Sequence, residues 1–572
     1  LHRALDILLL VLVCYLVLFA NLDRHEYIKT EGLRAIVATE MLERDGWSMP
    51  TVHHQPYLNK PPLYAWTTVW LSRQADGLTE QIARIPSALA GTALVLLMFV
   101  LAERWIGRGT GLVAATFTLL CPTIADYAVR AELDLPFSFF CTANLVLTLA
   151  ALRGRGLARE PVWLAAYAFA LIAAMWKGPH SLIFMWLTLF GWSLVQRDWR
   201  WLRSPAQWVG LLATLAVLIW WTRALSAFAG ASEVGSIAAT ELITRLVPYR
   251  LSSVLEIFTF IPMVLLIAIP GSIFAAMSFS RRVRHGATGT AIVEPPSQAL
   301  MTRIKCLVSG WWGWMRADPV RTRLAVWIVP MLLFMLWAPA KAPRYTIPLL
   351  PPLLLLATLV AARLETGPQT TERGPQLAGR VWRGVFAVLG IVALAATVRL
   401  VAGLAGFDGG IGRANAWRPW AFLAVGAAIP LIVEVTHAGG RTLRTRAMLL
   451  LAVLLAGQPV LHDVVWPRRV ANDSQRATAK RIDELVPAGE RLYVLGNHEY
   501  HDVAIYADTP FEFAKSADDA LVRATASGHT GAWAIYREEE ADELVADTRA
   551  ELHRYFTFVR TDKENVCVRI VP

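Results

Sequence analysis

Apolar residues run along this chain in blocks too long for the strands or helices of a water-soluble domain. Leu5–Ala20 is apolar but for Asp6, and comparable blocks recur along most of the sequence. A helix of about 20 such residues crosses the ~30 Å hydrocarbon core of a bilayer. The pattern predicts thirteen crossing helices, at 5–22, 82–103, 109–125, 134–152, 161–176, 179–195, 206–224, 254–279, 322–338, 345–363, 382–404, 418–436 and 447–462. After the first block come Asn21, Leu22, Asp23 and Arg24, with no small-x-small cleavage signal, so it reads as a first span and not a removed leader.

The polar connections orient these spans. Those at 104–108, 153–159, 197–203, 281–284, 363–383 and 441–446 are arginine-rich, and counting spans puts all six on one face. Positive loops stay in the cytoplasm. The N-terminus is therefore expected inside and, after an odd number of spans, the C-terminal segment outside. The partly polar stretch from Arg281 to Arg321, with its apolar insert "CLVSGWWGWM", reads as a cytoplasmic connection with a surface-lying piece.

Two regions depart from the membrane pattern. In the first outer loop, 23–81, "TEGLRAIVATEMLERDG" sets Leu33, Ile36, Val37, Met41 and Leu42 on one face, with Thr30 as N-cap and Gly46 as stop. This is an amphipathic helix of the kind that lies on a membrane surface. A second helix follows Lys60, with Pro61 in its first turn and Trp66 and Trp70 suited to the interface. The tail from about Trp466 is polar and mixed. "RLYVLG", "GAWAIYRE" and "YFTFVRTDKENVCVRIVP" read as strands, and "AKRIDELVPAGE", "DDALVRATASG" and "EADELVADT" as helices. The expected division is a membrane domain, 1–465, and a small outer α/β domain, 466–572.

Composition agrees: 55% of the 572 residues are hydrophobic and 17% charged. The net charge of +11 is explained by cytoplasmic loops, so no nucleic-acid partner is implied. Cys14, Cys121, Cys141, Cys306 and Cys567 show neither a disulfide framework nor zinc spacing. No glycine-rich phosphate loop, Ser-His-Asp order or nucleotide fingerprint is present, which argues against a nucleotide-driven pump. No cofactor is specified, and a divalent metal stays open. His53–His54 and "NHEYH" (Asn497–His501) lack metal-site spacing and read as exposed histidines.

Candidate chemistry collects on the outer face. Lys60 in "NKPP", Lys177 in "WKGP" and Lys341 with Arg344 in "KAPRY" each stand beside proline at a membrane edge. Pro61–Pro62 restricts Lys60 at a helix entry, a setting that suits a phosphate. The competing reading is a lysine snorkelling to lipid headgroups. Glu26, Glu31, Asp126, Glu132 and Asp134 lie on the same face. Asp134 opens a span and is either an N-cap or, near a phosphate site, a general base; Glu31 is either a favourable first-turn charge or a base.

In order along residues 1–360, "EGLRAIVATEMLERDGWSMP…QPYLNKPPLYAW", "RIPSALAG", "VRAELDLPFSFF", "WKGP" and "KAPRYTIPLLPPL" resemble bacterial relatives of the protein O-mannosyltransferases and the aminoarabinose lipid A transferases. The resemblance implies a GT-C fold in a bacterial inner membrane and transfer of a sugar from a polyprenyl-phosphate donor to a lipid or protein hydroxyl on the periplasmic side. It assigns the donor phosphate to Lys60. Asp134 matches the family's second-loop aspartate, while Lys177, Lys341, Arg344 and Tyr345 match recurring positions. The family carries Asp-Glu just before the surface helix, and this chain has Thr30–Glu31. The base is thereby left to Glu31 or to the second loop, with Asp134 as first choice and Glu132 assisting. The alternatives are a transporter or flippase for lipid-linked sugars, which would place polar sites near mid-membrane on paired repeats, and a non-catalytic binder.

Overall fold

The apolar blocks fold as helices because only internal hydrogen bonding satisfies a backbone in hydrocarbon. A computed structural model of the chain describes residues 2–44, 47, 49–232, 234–235, 256–280, 283, 300–338, 341–366, 373–404, 418–436, 442–461, 474–495, 500–544, 551–560 and 563–571. Helix α1 (His2–Cys14) continues through a π-helical turn, Tyr15–Phe19. The first loop holds α2 (Glu31–Glu43), a hairpin of β1 (Thr51–Val52) and β2 (Gln55–Pro56), and α3 (Leu63–Gln74). Then come α4 (Glu80–Trp105), α5 (Gly111–Leu120), α6 (Pro122–Ala128), α7 (Asp134–Arg153), α8 (Glu160–Lys177), α9 (His180–Gln196) and α10 (Pro205–Ala229). Further helices occupy Ile257–Ile267, Gly271–Met277, Leu300–Arg316, Pro319–Trp337, Leu350–Thr366, Arg373–Leu404, Arg418–Thr436 and Leu443–Val460.

Among the described residues nine helices are long and apolar enough to cross a membrane, or ten if α5 and α6 form one span bent by 72°. The chain is a multi-pass membrane protein. The bend falls where Pro122 holds Cys121 extended, at φ −67° and ψ 111°. Three expected spans are absent from that count. The block 254–279 is divided into two short helices, α9 has 17 residues, and Arg418–Thr436 is helical but not among the nine. Of the expected features, the stop at Gly46, most of the stretch between the expected spans 206–224 and 254–279, nearly all of the connection 281–284, residues 497–499 of "NHEYH" and the domain boundary at 465/466 lie outside the described residues.

Small residues bring the spans together. Ala166, Ala170, Ala173 and Ala174 are fully buried on α8, which packs along α7. Ser181 gives its hydroxyl to the Ala170 carbonyl at 2.8 Å and accepts at its own carbonyl from Asn144 at 3.3 Å. Asp6 pairs with Arg444 at 2.8 Å and Arg3 with Glu103 at 3.0 Å, tying α1, α4 and the helix Leu443–Val460 at one end of the bundle. The first loop, the start of α7 and the end of α8 gather at the other.

The C-terminal sheet has the order β4-β3-β5-β7-β6, from β3 (Leu492–Leu495), β4 (Phe511–Ala514), β5 (Ala532–Arg537), β6 (Glu551–Arg560) and β7 (Lys563–Val571). β3 pairs in parallel with β4 and β5, and β7 runs antiparallel to β5 and β6. Leu492 and Val494 pack on one face with Ile482, while Tyr493 and Leu495 pack on the other with Ala520 and Ala524. That alternation is the period of two that a strand between two layers requires.

Candidate active site

The site is built from four chain segments meeting at one end of the bundle. The start of α2 supplies Thr30, Glu31 and Arg34. The loop between α6 and α7 supplies Glu132, and α7 opens on Asp134. Lys177 is the last residue of α8, and Arg344 with Tyr345 sits in the 3-10 turn Pro343–Leu349. Helix ends favour this arrangement, because a carboxylate is stabilised at the N-terminus of α7 and an ammonium at the C-terminus of α8. Gly178 makes the exit from α8 with φ +113°, a conformation that a side chain disfavours.

Glu31 is 1% exposed and both its oxygens are occupied. Arg84 Nε donates to Oε1 at 2.8 Å and Nη2 to Oε2 at 3.0 Å. Backbone N–H groups of Ala131 and Ile28 add bonds of 2.7 and 2.9 Å. The remaining Arg84 donors reach the carbonyls of Leu22, His25 and Glu26 at 2.8–2.9 Å. This saturated fork ties the first loop and the loop between α6 and α7 to α4. Burial of such a pair is tolerated because every donor and acceptor is matched.

Thr30 holds the N-cap position without capping the helix. Its hydroxyl instead donates to Glu132 Oε1. The second loop is fixed from below as well, Ser87 Oγ donating to the Glu132 carbonyl at 2.9 Å. Among the described residues Glu132 has no ion-pair partner, and it is 5% exposed. Burial holds its carboxyl above the ordinary range; Arg34 and the Thr30 hydroxyl pull it back, while Asp134 and Glu31 push it further up. Arg34 gives Nη1 to the Tyr57 hydroxyl at 2.6 Å.

Asp134 is 4% exposed and its carboxylate meets the Lys177 ammonium. It is the first residue of α7, not its N-cap, which is Leu133. Lys177 lies over the rings of Tyr345, at 5.0 Å, and Phe137, at 5.7 Å. Arg344 lies over the Tyr345 ring at 5.3 Å and interacts electrostatically with Asp134 and Glu132. The two neighbouring carboxylates thus have different settings: Asp134 faces a cation, and Glu132 faces a hydroxyl.

The expected cations separate in the same way. Lys60 is half-buried ahead of Pro61 and Pro62, and α3 begins three residues on at Leu63, not at Pro61. Lys341 turns back on the helix Pro319–Trp337, its ammonium donating to the carbonyls of Leu336 at 3.0 Å, Met335 at 3.5 Å and Ala338. Its hydrogens satisfy carbonyls that the helix end leaves open.

The histidines differ from expectation. His54 is exposed, but His501 is 3% exposed, and its Nδ1 lies 3.1 Å from His53 Nε2. Among the described residues no group of three or more His, Cys, Asp and Glu is placed to hold a metal ion. Arg34, Tyr57 and Arg84 are not among the residues expected at the site from the sequence. Arg84 had a signal, as a lone arginine within an apolar span, which calls for a partner. A surface hollow of about 590 Å³ among Gln196, Arg197, Asp198 and Arg200 lies at the opposite end of the bundle, away from the carboxylates.

This helical bundle with a loop-built site at one end and a small sheet domain has the GT-C fold. Residues 59–221 match the family model of dolichyl-phosphate-mannose-protein mannosyltransferase. The crystal structure of ArnT from Cupriavidus metallidurans bound to undecaprenyl phosphate is similar over 98% of this chain and 97% of that chain, with a TM-score of 0.69 and 19% identity. The same ArnT in the apo state gives 0.68 and 19% identity over 99% and 98% of the two chains. No curated protein sequence matches the chain.

Proposed function

We propose that the protein is a glycosyltransferase that moves a sugar from a polyprenyl-phosphate donor to a hydroxyl acceptor, lipid or protein, at the outer face of a bacterial inner membrane. In this reading the N-terminus is cytoplasmic and the domain 466–572 is periplasmic. The observation that carries it is Glu132, a buried carboxylate held by the Thr30 hydroxyl beside the Asp134–Lys177 pair and within the electrostatic reach of Arg344. Similarity to an ArnT crystallised with undecaprenyl phosphate supports the donor class.

The acceptor oxygen attacks the anomeric carbon, and the bond from that carbon to the phosphate oxygen breaks. The acceptor proton passes to Glu132, and polyprenyl phosphate leaves with the bonding electrons. Lys60 and Arg344, with Tyr345, meet the phosphate and stabilise the charge that grows on it. Asp134 holds Lys177 in place between the Tyr345 and Phe137 rings. Thr30, which stands where the family resemblance puts a carboxylate, orients the carboxylate arriving from the second loop. Glu31 acts as a strut through Arg84, since its oxygens already accept four hydrogen bonds.

The test is incubation of purified protein with radiolabelled polyprenyl-phosphate sugars and membrane extract. Label moving into a lipid or protein acceptor supports the proposal. Intact donor under all sugars tried, with donor bound, would make the protein a lipid-linked-sugar binder.

A further inference from the structure

Helix α2 meets the second loop through Thr30 and Glu31 and is pressed from another side by the C-terminal domain. Gly32 is the contact. A Cβ placed there would fall 2.5 Å from the backbone N and Cα of Asp502 and from the His501 carbonyl oxygen, whereas ordinary contact begins at 3.4 Å. These are backbone atoms, so no rotamer change relieves the overlap. Gly32 is the second residue of α2, and the close approach accounts for a residue without a side chain there.

Three other contacts join the same domain to the same loop. Glu26 accepts from the Ser474 hydroxyl at 3.0 Å and the Gln475 N–H at 2.7 Å, at the start of the helix Gln475–Leu485. The Tyr506 hydroxyl accepts from the Tyr27 N–H at 2.7 Å and donates to Glu80 at 2.8 Å. His53 stacks on His501 with ring centroids 5.2 Å apart. His53 and His54 form the two-residue turn between β1 and β2 at φ 51° and 61°, a left-handed conformation that side chains resist. Glu40, accepting from the His54 N–H at 3.2 Å, helps hold it.

We propose that the C-terminal domain positions the active site: the Asp502 backbone seated on Gly32 sets where α2 presents Thr30, and so where Glu132 stands. The proposal rests on the transferase reading and adds a residue and a domain to it. A helix held between two bodies shifts as a unit, and a misplacement of about 1 Å costs on the order of 100-fold in rate.

The experiment compares full-length parent, Gly32→Ala and Tyr506→Phe by two readouts. The first is steady-state sugar transfer, with undecaprenyl phosphate binding measured alongside. Gly32→Ala is expected to lower kcat by about 10- to 100-fold with donor KM and undecaprenyl phosphate affinity within about twofold. Tyr506→Phe should act in the same direction by a smaller factor. The second readout needs no chemistry: the rate of disulfide formation between Thr30→Cys and Glu132→Cys in a chain stripped of its other cysteines. Gly32→Ala should slow it by about tenfold. Unchanged kcat in an active parent, or unchanged cross-linking, overturns the proposal. A parent that transfers no sugar contradicts the transferase reading instead, and cross-linking alone then decides the positioning role. Should Gly32→Ala fail to fold, Tyr506→Phe decides by the same two readouts.

Discussion

Thr30 donates its hydroxyl hydrogen to Glu132, joining the start of the first-loop helix to a carboxylate 102 residues further along the chain. A hydroxyl is too weak a base to take a proton from an acceptor alcohol, but it can hold a carboxylate that does. The contact converts two separate loops into one site. It also gives the two neighbouring carboxylates different partners: among the described residues Asp134 meets the Lys177 ammonium and Glu132 the Thr30 hydroxyl.

The pH dependence of transfer should report Glu132. Burial raises its carboxyl, and Arg34 is the largest opposing influence. Glu132 accepts a proton only when ionised, so kcat/KM should fall as pH drops through a value above the ordinary carboxylate range. Arg34→Gln removes a charge that favours the ionised form, so the acid limb should move to higher pH. A limb that stays put, measured with a substrate whose own groups do not titrate there, would remove Glu132 from the rate.

Asp134→Asn should behave differently from a base knockout. It leaves the Lys177 ammonium buried without its carboxylate, a defect worth about 3–5 kcal/mol in a fully buried pair. The expected outcome is lower thermal stability and weaker undecaprenyl phosphate binding, together with slower transfer. Normal stability and binding beside a lost kcat would make Asp134 the proton acceptor.

The lysines should separate by readout. Lys60→Ala is expected to weaken undecaprenyl phosphate binding by about tenfold, about 1.4 kcal/mol, with Lys60→Arg keeping part of the affinity. Unchanged affinity would return Lys60 to snorkelling at the headgroups. Lys341→Met should leave affinity intact and lower stability by about 1 kcal/mol, since it removes hydrogen bonds to the end of the helix Pro319–Trp337.

Much of this architecture was legible because it rests on local signals. Apolar blocks gave the helices, the period of three to four gave α2, and Pro61–Pro62 located the entry to α3 to within two residues. The C-terminal strands β3, β5, β6 and β7 stood out by alternation, whereas β4, only Phe511–Ala514 and interrupted by Glu512, did not. The expected thirteen spans exceed what the described residues show because an apolar run does not reveal where a helix stops short, as in α9, or where a block divides into two short helices, as between Ile267 and Gly271. The site was less legible. Asp134, Glu132 and Lys177 were recognisable as charges at membrane edges, but their partners were not. Which carboxylate meets Lys177, which one Thr30 reaches, and that Arg84 clasps Glu31 across 53 positions are outcomes of packing between distant segments. Lys341 looked equivalent to Lys60 because both stand near prolines; only the turn back onto helix carbonyls distinguishes them.

Orientation can be tested by labelling exposed positions at the two ends of the bundle. Glu31 and Asp134 are too buried to serve, whereas Asn59 at the site end and Arg155 at the other are exposed. Single cysteines there, in a cysteine-free chain, should react with an impermeant thiol reagent in intact spheroplasts at 59 and resist it at 155. The reverse pattern would place the site in the cytoplasm.

Glu132 as the proton acceptor is tested most directly by single-turnover sugar transfer by Glu132→Gln, with donor binding measured on the same preparation. Glutamine keeps the shape and accepts the Thr30 hydroxyl, but cannot take a proton. The expected rate is lower by about 10²- to 10⁴-fold, the range of general base catalysis, with undecaprenyl phosphate affinity within about twofold of the parent. Transfer at the parent rate with that affinity intact would contradict that role.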